Sequence, residues 1–203
     1  MFDIPSMQQL TGWLGWGNSI GALAGISAIL TVFVIIVPVV VGMLLSGLKR
    51  LEIKMIAVFS HSLVRFFMHY VTFPGIVIHE LSHFIFAVIT GAEVRDISFF
   101  EDDDGRLGHV TTRARGPWFI VAIQYTLIAI APVVVGLTLG FLLLRYIFAE
   151  QHSLGMNIGL WYLVVCLINH STMSKSDIEG YFRGVWIFIV PLFSSFWILG
   201  LFT

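Results

Sequence analysis

Three ionisable residues stand within five positions of an apolar stretch, PGIVIHELSH at residues 74–83. His79 and His83 are four apart, so on an α-helix they lie about one turn apart on one face and can bind one metal ion. Zinc suits two imidazoles, a carboxylate and an open position for water. It lowers the pKa of that water towards about 7, and Glu80 can take the proton and pass it to a leaving amine. The motif therefore predicts zinc-dependent amide hydrolysis.

The alternative is a pair of structural histidines, since HExxH also arises by chance. The apolar surroundings favour a metal, because three uncompensated polar side chains are costly to bury in lipid. A third ligand must come from elsewhere, and the candidates are His61, His69, His170, Asp177 and Glu179. Asp177 ranks first, because Ser174 or Ser176 can end one helix and cap the next, directing the carboxylate towards the site. The alternative role for Asp177 is a plain helix cap.

The composition indicates an integral membrane protein. Of the 203 residues, 58% are hydrophobic and 11% are charged, against roughly 45–50% and about 25% in soluble domains. The mean hydropathy is +0.93. A net charge of −1 without a basic run argues against a nucleic-acid partner. Cys166 is the single cysteine, so neither an internal disulfide nor a thiolate metal site is expected.

The hydropathy pattern predicts an all-α polytopic membrane protein with about six transmembrane helices, in one domain over residues 1–203. The predicted spans are residues 20–48, 55–72, 74–90, 117–148, 155–171 and 185–202. Pro38 is expected to break the first span. Lys49, Arg50 and Lys54 follow it, and this positive cluster predicts the cytoplasmic side of the membrane.

The predicted second span carries a polar face. His61, Arg65 and His69 recur every four residues, so they share one side of a helix. Because lipid does not tolerate such a face, we expect it to point into the bundle interior or a wet cavity. The alternative is a helix at the membrane interface from which Arg65 reaches water.

Residues 92–116 form the one polar segment of any length. The strand-like runs VRDISFF and RLGHVTT flank the turn signal DDDGR, which predicts a surface β-hairpin directly after the HExxH helix. An exposed strand edge at residues 94–99 can hold an extended substrate through backbone hydrogen bonds. A purely structural hairpin is the equal alternative.

These features resemble the site-2 protease family of intramembrane zinc metalloproteases, above all its small bacterial members without a PDZ domain. The resemblance covers about residues 74–180 and rests on PGIVIHELSHFIFAVITGAEVRDISFF, GRLGHV and IAIAPVVVG, with Asp177 followed closely by Gly180. It implies that His79, His83 and Asp177 are zinc ligands and that Glu80 is the catalytic base. It also implies a multi-pass protein of the bacterial plasma membrane.

Two departures from the family pattern leave assignments open. Many members have the Asp directly followed by Gly, whereas Ile178 and Glu179 intervene here, so Glu179 is a rival ligand. Many members also carry an Asn shortly after an Ala-Gly-Pro, thought to hold the substrate or the oxyanion. Here valines follow Ala131 and Pro132. The candidates for that role are Gln124, Asn169 and His170.

The expected function is an intramembrane zinc endopeptidase that cuts a membrane-embedded protein or peptide within the lipid bilayer. One alternative is a non-proteolytic, metal-binding membrane scaffold, a pseudoprotease. The intact Glu80 disfavours it, because a scaffold needs no base. The other alternative is a metal or proton transporter that uses the face of His61, Arg65 and His69. The positive charge of Arg65 disfavours a cation path there.

Overall fold

The structure is a computed structural model of the chain, and it describes residues 7–15, 20–101 and 107–202. The elements in chain order are α1 (Met7–Trp13), α2 (Ile20–Ala57), α3 (His61–Phe66), α4 (Phe73–Thr90), β1 (Glu93–Glu101), β2 (Leu107–Arg113), α5 (Trp118–Ala149), α6 (Leu154–His170), α7 (Lys175–Gly184) and α8 (Ile189–Phe202). A π-helical segment (Phe67–Val71) follows α3, and a 3-10 turn (Val185–Phe188) joins α7 to α8. The described residues are therefore mostly helical, as the hydropathy pattern predicted.

Four helices in the described residues are long and apolar enough to cross a membrane. They are Ile20–Ala57, Phe73–Thr90, Trp118–Ala149 and the continuous stretch Lys175–Phe202. α6 is a shorter apolar helix of 17 residues, about 25 Å long at 1.5 Å per residue. These lengths are compatible with a membrane protein. The predicted count of about six spans is not confirmed.

The predicted second span, residues 55–72, is not one helix. α2 continues through Pro38 and ends at Ala57, because membrane helices tolerate an internal proline. The chain then turns, and the Ser60 side chain caps α3 by accepting a hydrogen bond from the backbone N of Ser62 at 3.2 Å. α3 and the π segment have six and five residues, about 16 Å in total against a hydrocarbon core of about 30 Å.

The polar face predicted for this stretch does not point inwards. His61 and Arg65 are exposed, and His69 is half-buried. The backbone N of Thr72 donates to the carbonyl O of Phe67 at 3.0 Å, which is the wider hydrogen-bond spacing of a π-helix. The π segment begins at Phe67, so the helical repeat changes between Arg65 and His69.

The predicted β-hairpin is confirmed. β1 and β2 pair antiparallel, with Val94 opposite Thr112 and Ser98 opposite His109. The register is irregular at two places along β1. The predicted turn at residues 102–106 lies outside the described residues.

The chain divides into two compact units, Met1–Val37 with Val185–Thr203, and Pro38–Gly184. In the described part of the first unit, α1 packs against α8. Ser27 and Thr31 of α2 are buried there, and each hydroxyl donates to the carbonyl O four residues earlier, at 2.8 and 2.7 Å. These bonds satisfy the hydroxyls within the helix.

The second unit is built around α4, which packs against α5, α6 and both strands, while α5 also packs against α7. α4 and α6 approach closely at Gly75. A Cβ there would overlap the carbonyl O of Cys166 and lie 2.6 Å from Cδ2 of His170. Since Gly75 precedes His79 by one helical turn, this close approach brings the end of α6 beside the HExxH motif.

Candidate metal centre

The HExxH motif lies in the middle of α4. Pro74 occupies the first turn of the helix, and Gly91 ends it with φ 77°, the left-handed conformation that glycine adopts readily. His79 and His83 face the same side, with ring centroids 5.0 Å apart and ring planes at 80°. The helix therefore presents both imidazoles to one point, as their spacing predicted.

Each histidine ring is held by a backbone carbonyl. Nδ1 of His79 donates to the carbonyl O of His170 at 2.6 Å, and Nδ1 of His83 donates to the carbonyl O of Ile128 at 2.8 Å. A carbonyl oxygen only accepts, so Nδ1 must carry the proton in both rings. Each Nε2 of the neutral ring then has a free lone pair. Metal-binding histidines are commonly oriented in this way.

Both carbonyls lack a hydrogen-bond donor within their own helices. His170 is the last residue of α6, and the last carbonyls of a helix have no partner inside it. Ile128 stands four residues before Pro132 inside α5. Because proline has no N–H, the carbonyl of Ile128 lacks its usual helical donor.

Asp177 lies in the first turn of α7, close to the two histidines. Its backbone N donates to Oγ of Ser174 at 3.1 Å, while its Oδ2 accepts from the backbone N and Oγ of Ser174 at 2.7 and 2.6 Å. These reciprocal bonds form a capping box, with Asp in the place usually taken by Glu or Gln. The other oxygen, Oδ1, lies 3.5 Å from Nε2 of His83. The carboxylate therefore caps α7 and also faces the site.

This donor set fits a metal ion. One ligand atom from each of His79, His83 and Asp177 lies within 4.8 Å of the others. Ligands about 2.0–2.2 Å from a tetrahedral ion are roughly 3.3–3.6 Å apart, close to the 3.5 Å between Nε2 of His83 and Oδ1 of Asp177. That separation is long for a charged hydrogen bond, which is typically about 2.7–2.9 Å.

Glu80 is buried beside these residues, with 6% of its surface exposed. Gly108 of β2 packs against it. A Cβ on Gly108 would lie 2.9 Å from Cγ and 3.2 Å from Oε1 of Glu80, and the φ of Gly108 is +69°. A side chain at position 108 would therefore strain the backbone and displace Glu80. The hairpin sets the space in which the Glu80 carboxylate lies.

These groups line one cleft of about 590 Å³. The cleft lining includes His79, Glu80, His83 and Asp177. β2 contributes five consecutive residues, 108–112, so the cleft-lining strand is β2, whereas residues 94–99 of β1 are outside the lining. Tyr125 and Arg183 supply further polar groups to the wall.

The other candidate ligands lie apart from this donor set in the described structure. Glu179 lines the cleft, but its side chain is 54% exposed and pairs with Lys175 at 3.9 Å. The ring of His170 contacts Lys49 and Thr72. His61 and His69 are outside the cleft lining.

The three residues considered for the substrate or oxyanion role are all used elsewhere. The side chain of Gln124 accepts from the backbone N of Arg115 and donates to the carbonyls of Thr90 and Arg115, at 2.9, 3.0 and 3.1 Å. Nδ2 of Asn169 donates to Oε2 of Glu52 at 2.5 Å. Together with His170, these residues are outside the cleft lining.

His109 is a cleft residue that sequence reasoning did not single out. Its Nε2 lies 2.8 Å from Oδ2 of Asp96 on the paired strand. Its Nδ1 is buried and has no hydrogen-bond partner within the part of the chain that the structure describes. The only sequence signal was the alternation of the strand RLGHVTT, which places His109 on one hairpin face without indicating which face covers α4.

Comparisons with known proteins give no relative for this chain: no protein-family model, no curated protein and no solved structure matches it.

Proposed function

We propose that this protein is an intramembrane zinc metallopeptidase of the site-2 protease type, which hydrolyses a peptide bond of a membrane-embedded protein. The single observation that carries the proposal is the state of the two histidines. Both have Nδ1 tied to a carbonyl and Nε2 free beside the Asp177 carboxylate. This donor set suits zinc, which takes imidazole and carboxylate ligands in a four-coordinate site.

Zinc at such a site supplies Lewis acidity, which activates water and polarises a carbonyl. The chain supplies the proton carrier. Glu80 follows the candidate ligand His79 directly and lines the same cleft, which supports a role as the base that takes a proton from the attacking water. Glu80 would take that proton as the C–O bond forms, and would pass it to the amide nitrogen as the C–N bond breaks and the amine leaves.

The hairpin supplies a wall along which an extended peptide can lie. Residues 108–112 of β2 run past Glu80 along the cleft. A peptide in strand conformation exposes backbone N–H and C=O groups that such a wall can pair with. Substrate helices must unwind to expose an amide, and a strand-shaped binding wall favours the unwound form.

The first test is metal content and peptidase activity of detergent-purified protein. We expect about one zinc per chain in the wild type and in Glu80→Gln, and loss of zinc in Asp177→Ala. Glu80→Gln should lower cleavage of fluorescein-labelled casein by about 10²–10⁴-fold, the usual contribution of a general base. Casein is an extended substrate that needs no unwinding.

Glu179→Ala is the matched control, because Glu179 lines the same cleft from the same helix outside the donor set. It should keep its zinc. A wild type that binds no zinc, or a Glu80→Gln variant that cleaves like the wild type, would contradict the proposal. Zinc binding without cleavage would instead support a metal-binding scaffold.

A further inference from the structure

Lys49 lies within the apolar helix α2, and its ammonium group contacts α6. Nζ of Lys49 is 3.3 Å from Nδ1 of His170. Nε2 of His170 is 2.9 Å from Oγ1 of Thr72, and that oxygen is 3.0 Å from the carbonyl O of Met68. His170 and Thr72 are both buried. A chain of polar contacts thus links α2, the end of α6 and the turn before α4.

The direction of each hydrogen bond in this set of contacts follows from the chemistry of its partners. The ammonium of Lys49 can only donate, so Nδ1 of His170 accepts and Nε2 carries the proton. The hydroxyl of Thr72 donates to Met68, so it accepts from Nε2. The contacts are mutually consistent from the ammonium to the last carbonyl. A network of consistent hydrogen bonds holds its members in one arrangement.

The same residue, His170, holds a candidate metal ligand through its main chain. Its carbonyl O accepts from Nδ1 of His79 at 2.6 Å. The ring of His170 is therefore anchored by Lys49 and Thr72, while its carbonyl orients His79. A shift of this helix end would move the acceptor that keeps Nε2 of His79 directed at the site.

One face of α2 lies along the end of α6. Gly42, Ser46 and Lys49 follow one another at steps of four and three, which is the spacing of a single helix face. A Cβ on Gly42 would lie 2.6 Å from Cγ of Met173, and Oγ of Ser46 is 3.3 Å from the carbonyl O of Met173. α2 therefore reaches the metal centre through the segment that contains His170.

We propose that Lys49 and His170 are positioning residues for the metal centre, acting as one unit that fixes the carbonyl by which His79 is oriented. The proposal rests on the proposed function, because that function requires a metal at His79. Lys49 was expected only to mark the cytoplasmic side of the membrane. Its contact with His170 assigns it a role inside the protein.

The test is zinc affinity, measured by chelator competition, together with the visible absorption spectrum of the cobalt-loaded protein. Lys49→Met removes the ammonium and keeps the apolar stem. His170→Gln keeps an amide N–H that can donate to Thr72 and loses the ring Nδ1 that accepts from Lys49. Each variant should weaken zinc binding about tenfold, as loss of a ligand-supporting group does, and should shift the cobalt spectrum. The double variant should bind no more weakly than either single one.

Asn169→Ala is the matched control. Asn169 is adjacent to His170, equally buried and bonded to Glu52 on α2. Its loss should lower the thermal stability without changing zinc affinity or the cobalt spectrum. Wild-type zinc affinity in both Lys49→Met and His170→Gln would overturn the inference, as would additive losses in the double variant. A wild type that binds zinc but cleaves no peptide would overturn the proposed function. The zinc affinities of the variants would still test the positioning role of Lys49 and His170.

Discussion

At the scale of single residues, Gly108 controls where the Glu80 carboxylate can lie. The glycine has a left-handed backbone, and a Cβ added to it would lie 2.9 Å from Cγ and 3.2 Å from Oε1 of Glu80. A general base must sit within hydrogen-bond reach of the proton it takes. The absence of a side chain at position 108 is therefore part of the proposed catalytic arrangement.

Gly108→Ala should lower peptidase activity by at least about tenfold while zinc content stays the same, because the new methyl displaces Glu80 and no ligand candidate. Gly91→Ala is the control, since Gly91 has a similar φ of +77° and no atom near its Cβ position. It should carry a comparable strain, about 1–2 kcal/mol, with activity near that of the wild type. Equal activities in the two variants would refute this role for Gly108.

At the scale of helices, the site depends on two carbonyl groups that lack partners within their own helices. The end of α6 releases the carbonyl of His170, and Pro132 releases the carbonyl of Ile128 inside α5. These carbonyls accept from His79 and His83. The helix interruptions that look like defects are thus what orient the two imidazoles.

Pro132→Ala tests the role of the Ile128 carbonyl, because the substitution should stabilise α5 and weaken zinc binding. An alanine N–H can donate to the carbonyl of Ile128, so α5 should become more stable. His83 would then share this acceptor with the helix backbone. We expect unchanged or raised thermal stability and zinc binding weakened by about tenfold. Pro38→Ala, in the long helix α2, is the control and should leave zinc affinity unchanged. Unaltered zinc affinity in Pro132→Ala would show that His83 needs no such acceptor.

At the scale of the whole molecule, the course of the chain between α2 and α4 determines whether residues 55–72 can form a membrane span. Residues 55–72 are apolar enough to suggest a span. Instead they are divided among the end of α2, a turn, the short α3 and the π segment. Arg65 lies near the middle of this stretch and is exposed. A span would place it in the hydrocarbon core.

Arg65→Cys should therefore react with a membrane-impermeant maleimide that is supplied on both sides of the proteoliposome bilayer. The background is Cys166→Ser, which removes the single cysteine. Val134→Cys is the control, because Val134 is also exposed on the protein but lies within the candidate span α5, where lipid excludes the reagent. Protection of both cysteines would restore residues 55–72 as a membrane span.

Local patterns in the sequence were sufficient for long apolar helices that could span a membrane, for the HExxH helix and for the hairpin. His79 and His83 needed only helical spacing to meet, and the runs around residues 94–112 needed only alternation and a turn signal. The sequence also predicted a serine cap before Asp177 but left Ser174 and Ser176 as alternatives, and the structure shows Ser174 in that role. Each of these features depends on neighbours within a few positions along the chain.

The other features of the site depend on contacts between segments that are distant in the sequence. The carbonyls that orient His79 and His83 come from 91 and 45 residues away, and the packing of Gly108 against Glu80 joins two further elements. Spacing within one helix carries no information about which neighbour it meets. For the same reason the sequence does not reveal the partner of Lys49. Its contact with His170 exists only where α2 and α6 pack together.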